Sequence, residues 1–329
     1  MKGKLWRRII HPSTLALLAE GRRTPGYSIV DTLHGYVYGR WPYLYIGIGV
    51  GEHWLARTIW PVTFGLLGLL RPRRIARFLT GGRFPARSKH KAGLKAGRIT
   101  FADTYHGKVV PLESATQLVK IEEDIRLLDL ETVVPYARAR DIILKNPDHI
   151  IALECPCRAS RPHPCLPLDV CLIVGEPFAS FIAEHHPRRT RWISSQEAVE
   201  ILQAEDERGH VHHAFFKDAM FGRFYAICNC CSCCCGAMQI QRSGTPMLAS
   251  SGYLAQVDEE LCIGCGECQE YCQFEALALD GFISSVDEEQ CMGCGVCVSK
   301  CEQGALSLAR APGKGEPLEI FNLMEKVLQ

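Results

Sequence analysis

The chain has 329 residues, 18 of them cysteine, and a formal net charge of +1. This length suits two or three modest domains. Cysteines this numerous, placed in adjacent runs of a long chain, argue against a small disulfide scaffold. They favour thiolate ligation in a reducing, cytoplasmic compartment.

Charge divides the chain into a basic front and an acidic body. Residues 1–100 contain 18 Lys or Arg and three acidic residues, a net charge of +15, so the remaining 229 residues carry −14. This front has no cysteine, and we predict that it is mainly helical. It carries no nucleic-acid-binding signature, so no nucleic-acid partner is expected. Arg7 and Arg8 form a twin-arginine pair, but the apolar stretch behind them is too short for an export signal.

Residues 41–77 combine an apolar, aromatic run with a cluster of arginines. The longest uncharged run, 58–70, has 13 residues, whereas a membrane-spanning helix needs about 20. Five rings suited to a membrane interface lie here: Trp41, Tyr43, Tyr45, Trp54 and Trp60. With the basic stretch 71–77, they favour a peripheral position on the inner face of the cytoplasmic membrane, against anionic lipid or a membrane complex. The alternative is a buried helix pair with a solvated basic tail.

Residues 101–253 are expected to form a Cys-rich α/β middle domain. Apolar positions at helical spacing in 137–144 predict a helix. Residues 150–153 predict a short buried strand that leads into the first cysteine. Ser194, three residues before a glutamate, predicts a capped helix over about 195–208.

Ten cysteines of the middle domain fall into two groups. The first group is Cys155, Cys157, Cys165 and Cys171, and the second is Cys228, Cys230, Cys231, Cys233, Cys234 and Cys235. Unliganded thiols at this density would be exposed to oxidation, so a metal or iron–sulfur role is favoured over burial as small hydrophobes. These ten residues are the predicted ligands of at least one further iron–sulfur cluster or metal centre.

The grouping of these ligands is open from sequence alone. In an extended C-x-C pair both sulfurs lie on one face, so Cys155 and Cys157 could donate together. Cys165 and Cys171 would then complete a four-cysteine site. The run 228–235 could bind a second cluster, or it could combine with the first group around a larger one.

Three histidines precede the second group. His210 and His212 share a face if the segment is extended, and with His213 they could ligate a metal or transfer protons. The alternative is a set of hydrogen-bonded structural histidines. The nearest glycine-rich motif, at 47–53, lacks the strand–helix frame of a dinucleotide site, so a bound flavin or NAD is not supported.

The C-terminal part contains a cysteine repeat. Two C-x₂-C-x₂-C-x₃-C runs stand 29 residues apart: Cys262, Cys265, Cys268 and Cys272, then Cys291, Cys294, Cys297 and Cys301. Over residues 254–311 this repeat resembles bacterial-type ferredoxins with two [4Fe–4S] clusters. A pair of zinc ribbons is the alternative, but zinc sites do not need four cysteines in eleven residues, twice over.

The resemblance implies a ligand set for each cluster. One cluster would take Cys262, Cys265, Cys268 and Cys301, and the other Cys291, Cys294, Cys297 and Cys272. In the family the fourth cysteine begins a helix and is usually followed by proline, but here Gln273 and Glu302 take the proline's place. This departure is expected to change polarity near each cluster rather than ligation.

Together these patterns predict an α+β protein with a ferredoxin-like domain at 254–311 and a helical tail at 312–329. The cysteine runs resemble those of multi-cluster iron–sulfur proteins of anaerobic metabolism. We expect an electron-transfer protein that connects a redox protein partner to the middle-domain centre. The alternative is an oxidoreductase subunit whose middle centre reduces a disulfide or a quinone-like acceptor, so the sequence leaves open whether the chain is an enzyme.

Overall fold

The computed structural model describes residues 11–49, 105–136 and 140–328. The predictions for the twin-arginine pair, for the glycine-rich stretch beyond residue 49 and for residues 50–77 lie outside the described residues. Within the described residues, helices and strands alternate and the predicted α+β class is confirmed.

Eleven α-helices lie in the described residues. They are α1 (Pro12–Arg23), α2 (Ile29–Arg40), α3 (Pro42–Gly49), α4 (Leu112–Val119), α5 (Pro156–Ala159), α6 (Phe178–His185), α7 (Ser195–Glu207), α8 (Gly236–Arg242), α9 (Glu267–Tyr271), α10 (Val296–Ser299) and α11 (Ile320–Leu328). The predicted capped helix is α7, where the Ser194 hydroxyl accepts a hydrogen bond from the Glu197 N–H at 3.1 Å. This bond satisfies a donor that would otherwise be free at the helix start.

Thirteen strands lie in the same residues. They are β1 (Tyr105–Val110), β2 (Ile125–Leu127), β3 (Ile142–Leu144), β4 (Ile150–Leu153), β5 (Cys171–Val174), β6 (Thr190–Ile193), β7 (Val211–Lys217), β8 (Arg223–Cys230), β9 (Leu248–Ala249), β10 (Tyr253–Val257), β11 (Leu277–Asp280), β12 (Ile283–Val286) and β13 (Leu306–Arg310). The predicted strand 150–153 is β4 and is fully buried.

One prediction of secondary structure is wrong. The proposed helix over 137–144 is a strand at its described end, because β3 pairs antiparallel with β2. Ile142 and Leu144 are buried while Ile143 is half-buried. This alternation, in residues that include two β-branched isoleucines, suits a half-buried strand better than a helix.

Seven strands form the central sheet in the order β6-β4-β5-β8-β7-β1-β9. All neighbours are antiparallel except β1 and β9, which are parallel. Alternate residues point to opposite faces. On the first face Ile150 and Leu172 pack with α4, α7 and α11. On the second face, here called the cysteine face, Ile151 and Cys171 pack with α1, α2 and α6.

The helices α1–α3 are attached to the cysteine face by polar contacts. Glu20 accepts hydrogen bonds from Arg223 at 2.7 Å and from Lys145 at 2.9 Å. The Tyr43 hydroxyl donates to the Glu154 carbonyl at 2.9 Å, which fixes α3 above the end of β4. The described part of segment 41–77 therefore packs on the middle of the chain.

A C-terminal region, residues 253–310, follows the sheet. Strand β10 pairs with β13 and β11 pairs with β12, both antiparallel. Val296 of this region is buried against Val109 and Val211 of the central sheet. The two parts of the chain thus share an apolar contact.

Candidate metal centres

Two cavities in the C-terminal region are lined by the cysteines of the repeat. The inner cavity is lined by Cys272, Cys291, Cys294 and Cys297. The outer cavity is lined by Cys262, Cys265, Cys268 and Cys301. Each cavity is therefore lined by the first three cysteines of one run and by the fourth cysteine of the other run. The fourth cysteines do not begin helices as expected, since Cys272 directly follows α9 and Cys301 follows α10.

Glycine is needed in each cysteine loop. Gly264 and Gly293 have φ of 66° and 64°, a region that L side chains rarely adopt. A Cβ atom on Gly264 would lie 2.2 Å from the Phe282 carbonyl oxygen, and one on Gly293 would lie 2.2 Å from that of Tyr253. Glycine at both positions thus lets the loops close around their cavities without a steric clash.

Backbone donors point at the cysteine sulfurs. The N–H of Ala276 donates to Cys272 Sγ at 3.2 Å, and that of Ala305 donates to Cys301 Sγ at 3.3 Å. The Ser284 N–H lies 3.5 Å from Cys262 Sγ and lowers the pKa of that thiol. Such bonds favour thiolate, the form that binds iron, so this donor set fits a [4Fe–4S] cluster.

The two cavities differ in their surroundings. The inner cavity is covered by the central sheet, because Phe274 and Met292 pack against the core of the cysteine face. Burial raises the pKa of Cys297 in the inner cavity to about 12, so its thiolate needs a nearby cation such as a metal. In the outer cavity Cys265 is exposed and Ile263 is 64% exposed.

Gln273 joins the inner cavity to the second cysteine run. It follows Cys272 directly, and its side-chain oxygen accepts a hydrogen bond from the Ser232 N–H at 2.9 Å. Its amide nitrogen donates to the Gly209 carbonyl at 3.1 Å. In the other repeat, Glu302 is exposed. The two departures from the family's proline therefore differ: one forms a contact between the two parts of the chain, and the other faces solvent.

Four cysteines from both groups of the middle domain come together near the surface. The sulfurs of Cys165, Cys231, Cys233 and Cys234 all lie within 4.8 Å of one another. We call them the four-cysteine group. Cys165 Sγ and Cys233 Sγ are 3.3 Å apart. Four thiols at this spacing can hold a metal ion or a small cluster.

The sequence left open whether Cys155, Cys157, Cys165 and Cys171 form one site, and the structure divides them between two places. Cys165 stands apart from the other three because α5 and the loop after it carry Cys165 to Cys233. The two cysteine groups therefore meet at this contact, and the way they share metal ions stays a prediction. Sequence spacing could not decide between these possibilities, since it does not show how the loop folds back.

The remaining six cysteines line one cavity on the cysteine face: Cys155, Cys157, Cys171, Cys228, Cys230 and Cys235. We call them the six-cysteine group. Strands β4, β5 and β8 are neighbours in the sheet, and Cys171 is directly opposite Cys228. None of the six forms a disulfide bond.

Sequence reasoning missed a buried ion pair behind the cysteine runs. Arg158 donates to Glu205 at 2.5 Å and to the Asn229 carbonyl at 3.0 Å, and both charged side chains are 1% exposed. Although burial opposes it, hydrogen bonds from His210 and Arg158 keep the pKa of Glu205 below its ordinary value. The sequence signal for this pair was Glu205, an acidic residue on the inward face of α7.

Two of the three predicted histidines have structural partners. His210 Nδ1 lies 2.7 Å from Glu205, and His212 Nδ1 lies 2.6 Å from the Asn229 side-chain oxygen. The hydrogen-bonded interpretation is therefore correct for these two. His213 differs, because both of its ring nitrogens are buried with no hydrogen-bond partner among the described residues.

Comparison with known proteins identifies the C-terminal region. Residues 255–278 and 285–307 both match the 4Fe-4S binding domain family. No curated protein matches the chain. No helix in the described part of the chain has both the length and the apolar character needed to cross a bilayer. Residues 255–307 therefore carry two 4Fe-4S binding motifs, as two-cluster ferredoxins do, and these motifs support iron–sulfur electron transfer.

Proposed function

We propose that the chain relays electrons between a redox protein partner and a metal centre held by the four-cysteine group. The outer cluster would be held by Cys262, Cys265, Cys268 and Cys301, and the inner cluster by Cys291, Cys294, Cys297 and Cys272. Electrons enter or leave at the outer cluster and pass through the inner one. We place the outer cluster first because its cavity is exposed, and the inner cluster second because its cavity is covered by the central sheet.

The contact made by Gln273 carries this proposal. One covalent neighbour of Gln273 is the inner-cluster cysteine Cys272. Its hydrogen-bond partner Ser232 lies between Cys231 and Cys233 of the four-cysteine group. A short path of bonds and one hydrogen bond thus connects the two centres.

The outer cavity supports the position of the partner. Leu261, Ile263 and Phe282 are 48%, 64% and 88% exposed. Apolar side chains exposed together are typical of surfaces that meet another protein. A redox partner seated there would lie close to the outer cluster.

The test compares two matched variants, Gln273→Ala and Glu302→Ala. Rapid mixing with a reduced electron-donor protein, followed by freezing and EPR, resolves reduction of the outer cluster, the inner cluster and the middle centre. Q273A should slow reduction of the middle centre several-fold without slowing the outer cluster, whereas E302A should leave the rate of electron transfer from the inner cluster to the middle centre unchanged. Equal rates in wild type and Q273A would contradict the proposed path.

The second candidate is a reductase in which the four-cysteine centre acts on a disulfide or a quinone-like acceptor. The observation that favours it is the exposure of Cys233, which leaves the centre open to a small molecule. The EPR signal of the reduced middle centre should then change when the acceptor is added and recover after turnover. A signal that no acceptor alters leaves the relay as the better proposal.

We also propose that the chain binds the cytoplasmic membrane surface through α2 and α3. Seven apolar residues of these helices and of the turn between them are exposed: Ile29, Val30, Leu33, Val37, Trp41, Leu44 and Ile48. Apolar area beside a basic segment suits an anionic interface. Co-sedimentation with anionic vesicles should weaken in the double variant Ile29→Ser, Leu33→Ser. Equal binding by both proteins, or by neither, would contradict this role.

A further inference from the structure

The six-cysteine group lies in a cavity that the relay does not use. We propose that these six thiols bind a separate iron–sulfur cluster with more than one iron ion. The site would stand next to the four-cysteine group, since Cys231 and Cys234 line the same cavity. It does not depend on the direction or the partner of the proposed relay.

The sheet brings the six thiols together by its register. Cys171 and Cys228 occupy opposed positions on β5 and β8, where side chains of one face are close neighbours. Cys230 lies two residues beyond Cys228 on the same face. Cys155 and Cys157 follow β4 at the same end of the sheet, and Cys235 immediately precedes α8. Each of the two sequence groups therefore contributes three ligands.

The number of thiols sets the kind of cofactor. A single zinc or iron ion takes four thiolates, so six neighbouring thiols exceed what one ion can use. A single [2Fe–2S] or [4Fe–4S] cluster also takes four thiolates, so six ligands suit a larger sulfide-bridged cluster with more iron ions to bind. The four-cysteine group has its own set of ligands and leaves these six unassigned.

The charge of the surroundings supports the same assignment. Arg158, a buried cation lining this cavity, is already paired with Glu205. Ile173, Ile182 and Phe215 make much of the remaining wall apolar. Several thiolates in such a place would be strongly unfavourable without metal cations among them.

His213 gives a second, independent observation. It stands opposite Cys228 on the neighbouring strand and is 0% exposed. Neither ring nitrogen has a partner among the described residues, although buried polar atoms are nearly always hydrogen-bonded. His213 does not line the cavity itself, so it would reach a cluster only at the edge held by Cys228, where a sulfide would supply the missing partner.

The N-terminal helices cover one side of the cavity. Tyr38 of α2 and Pro42 and Ile46 of α3 form part of its wall. The Tyr38 hydroxyl is hydrogen-bonded to that of Tyr225 at 2.7 Å. These helices would therefore limit the access of solvent and oxygen to the cluster from this side.

The first test measures the iron and sulfide content of the unmutated full chain. Two [4Fe–4S] clusters account for about eight iron ions, and the four-cysteine group adds about one as a mononuclear site or about four as a [4Fe–4S] cluster. We expect anaerobically purified protein to hold at least two iron ions beyond the larger of these totals, with additional inorganic sulfide. A total of about twelve iron ions or fewer would overturn the proposal whether or not any variant folds.

The second test separates the two neighbouring groups. Cys228→Ser and Cys233→Ser alter the same sequence run but different groups, and Mössbauer spectra record each iron component. C228S should lose the additional component and keep the ferredoxin components, whereas C233S should keep the additional component. Loss of one common component in both variants would show a single large centre and overturn a separate cluster. His213→Phe should shift the additional component's spectrum, and no shift would remove the histidine from the assignment.

Discussion

The two halves of the cysteine repeat have the same ligand spacing but different environments. The outer half faces solvent, with Cys265 exposed, while the inner half is covered by the central sheet. One of the differences between the halves lies at the boundary, where Val296 stands and the other half has Glu267. The ligand pattern thus specifies the cluster, and the residues between the ligands specify which cluster faces solvent.

The two residues that follow each fourth cysteine show the same division between a covered and an exposed environment. Gln273 and Phe274 contact the middle of the chain, whereas Glu302 and Gln303 are exposed. A duplicated module can therefore become an inner and an outer centre without changing a ligand. Substitutions in the two halves should therefore have different effects.

The largest effect is expected from alanine in the cysteine loops. Gly293→Ala would place a Cβ atom against the Tyr253 carbonyl, at the start of β10, which is held by its pairing with β13. We expect the inner cluster to be lost, which lowers the iron content by about four ions. Gly264→Ala should be milder, because Phe282 lies in an exposed turn that can move. Equal iron loss in both variants would contradict the difference in rigidity.

A charge placed in the inner half should destabilise the protein. Val296→Glu copies the outer half and buries a carboxylate between Val109 and Val211. An uncompensated buried charge costs about 3–5 kcal/mol. We therefore expect the free energy of unfolding, measured by anaerobic urea titration, to fall by that amount. The reverse exchange, Glu267→Val, should change stability by less than about 1 kcal/mol. A stable V296E protein would show that the two parts separate readily.

Removing one positive charge should shift the potential of only the outer cluster. Lys300 lines the outer cavity and donates to the Glu207 carbonyl at 2.6 Å. A cation stabilises the reduced, more negative cluster, so Lys300→Met should lower the outer potential by tens of millivolts. Redox titration followed by EPR measures both potentials. Equal shifts in the two clusters would show that they share one electrostatic environment.

The smallest structural effect is expected at the exposed apolar surface of the outer half. Ile263→Ser should change the free energy of unfolding by at most about 0.5 kcal/mol, since this side chain is mostly exposed. It should nevertheless slow reduction by an electron-donor protein, while reduction by dithionite keeps its rate. Unchanged rates with the protein donor would place the partner elsewhere.

The sequence predicted local features better than the meeting of distant ones. The strand at 150–153 and the helix after Ser194 follow from short-range patterns, and both are present. The helix over 137–144 was wrong because pairing with β2 decided the structure of Ile142–Leu144. The local spacing of apolar residues carries no information about which strand will pair with this segment.

The candidate sites show the same limit. The two cysteine runs of the ferredoxin region could be recognised because their ligands are close in sequence. The association of Cys165 with Cys233 depends on a loop of the middle domain, and that of Cys171 with Cys228 depends on strand order. The contact between Gln273 and Ser232 was equally hidden, because both residues are polar and unremarkable in sequence.

The central claim is that the inner cluster, and not the outer one, adjoins the four-cysteine centre. EPR of the fully reduced protein tests it directly, because the interaction between electron spins falls steeply with distance. We predict that Cys233→Ser removes a splitting from the inner-cluster signal and leaves the outer-cluster signal unchanged. An inner-cluster signal that is identical in wild type and C233S, or a change confined to the outer cluster, would contradict the account.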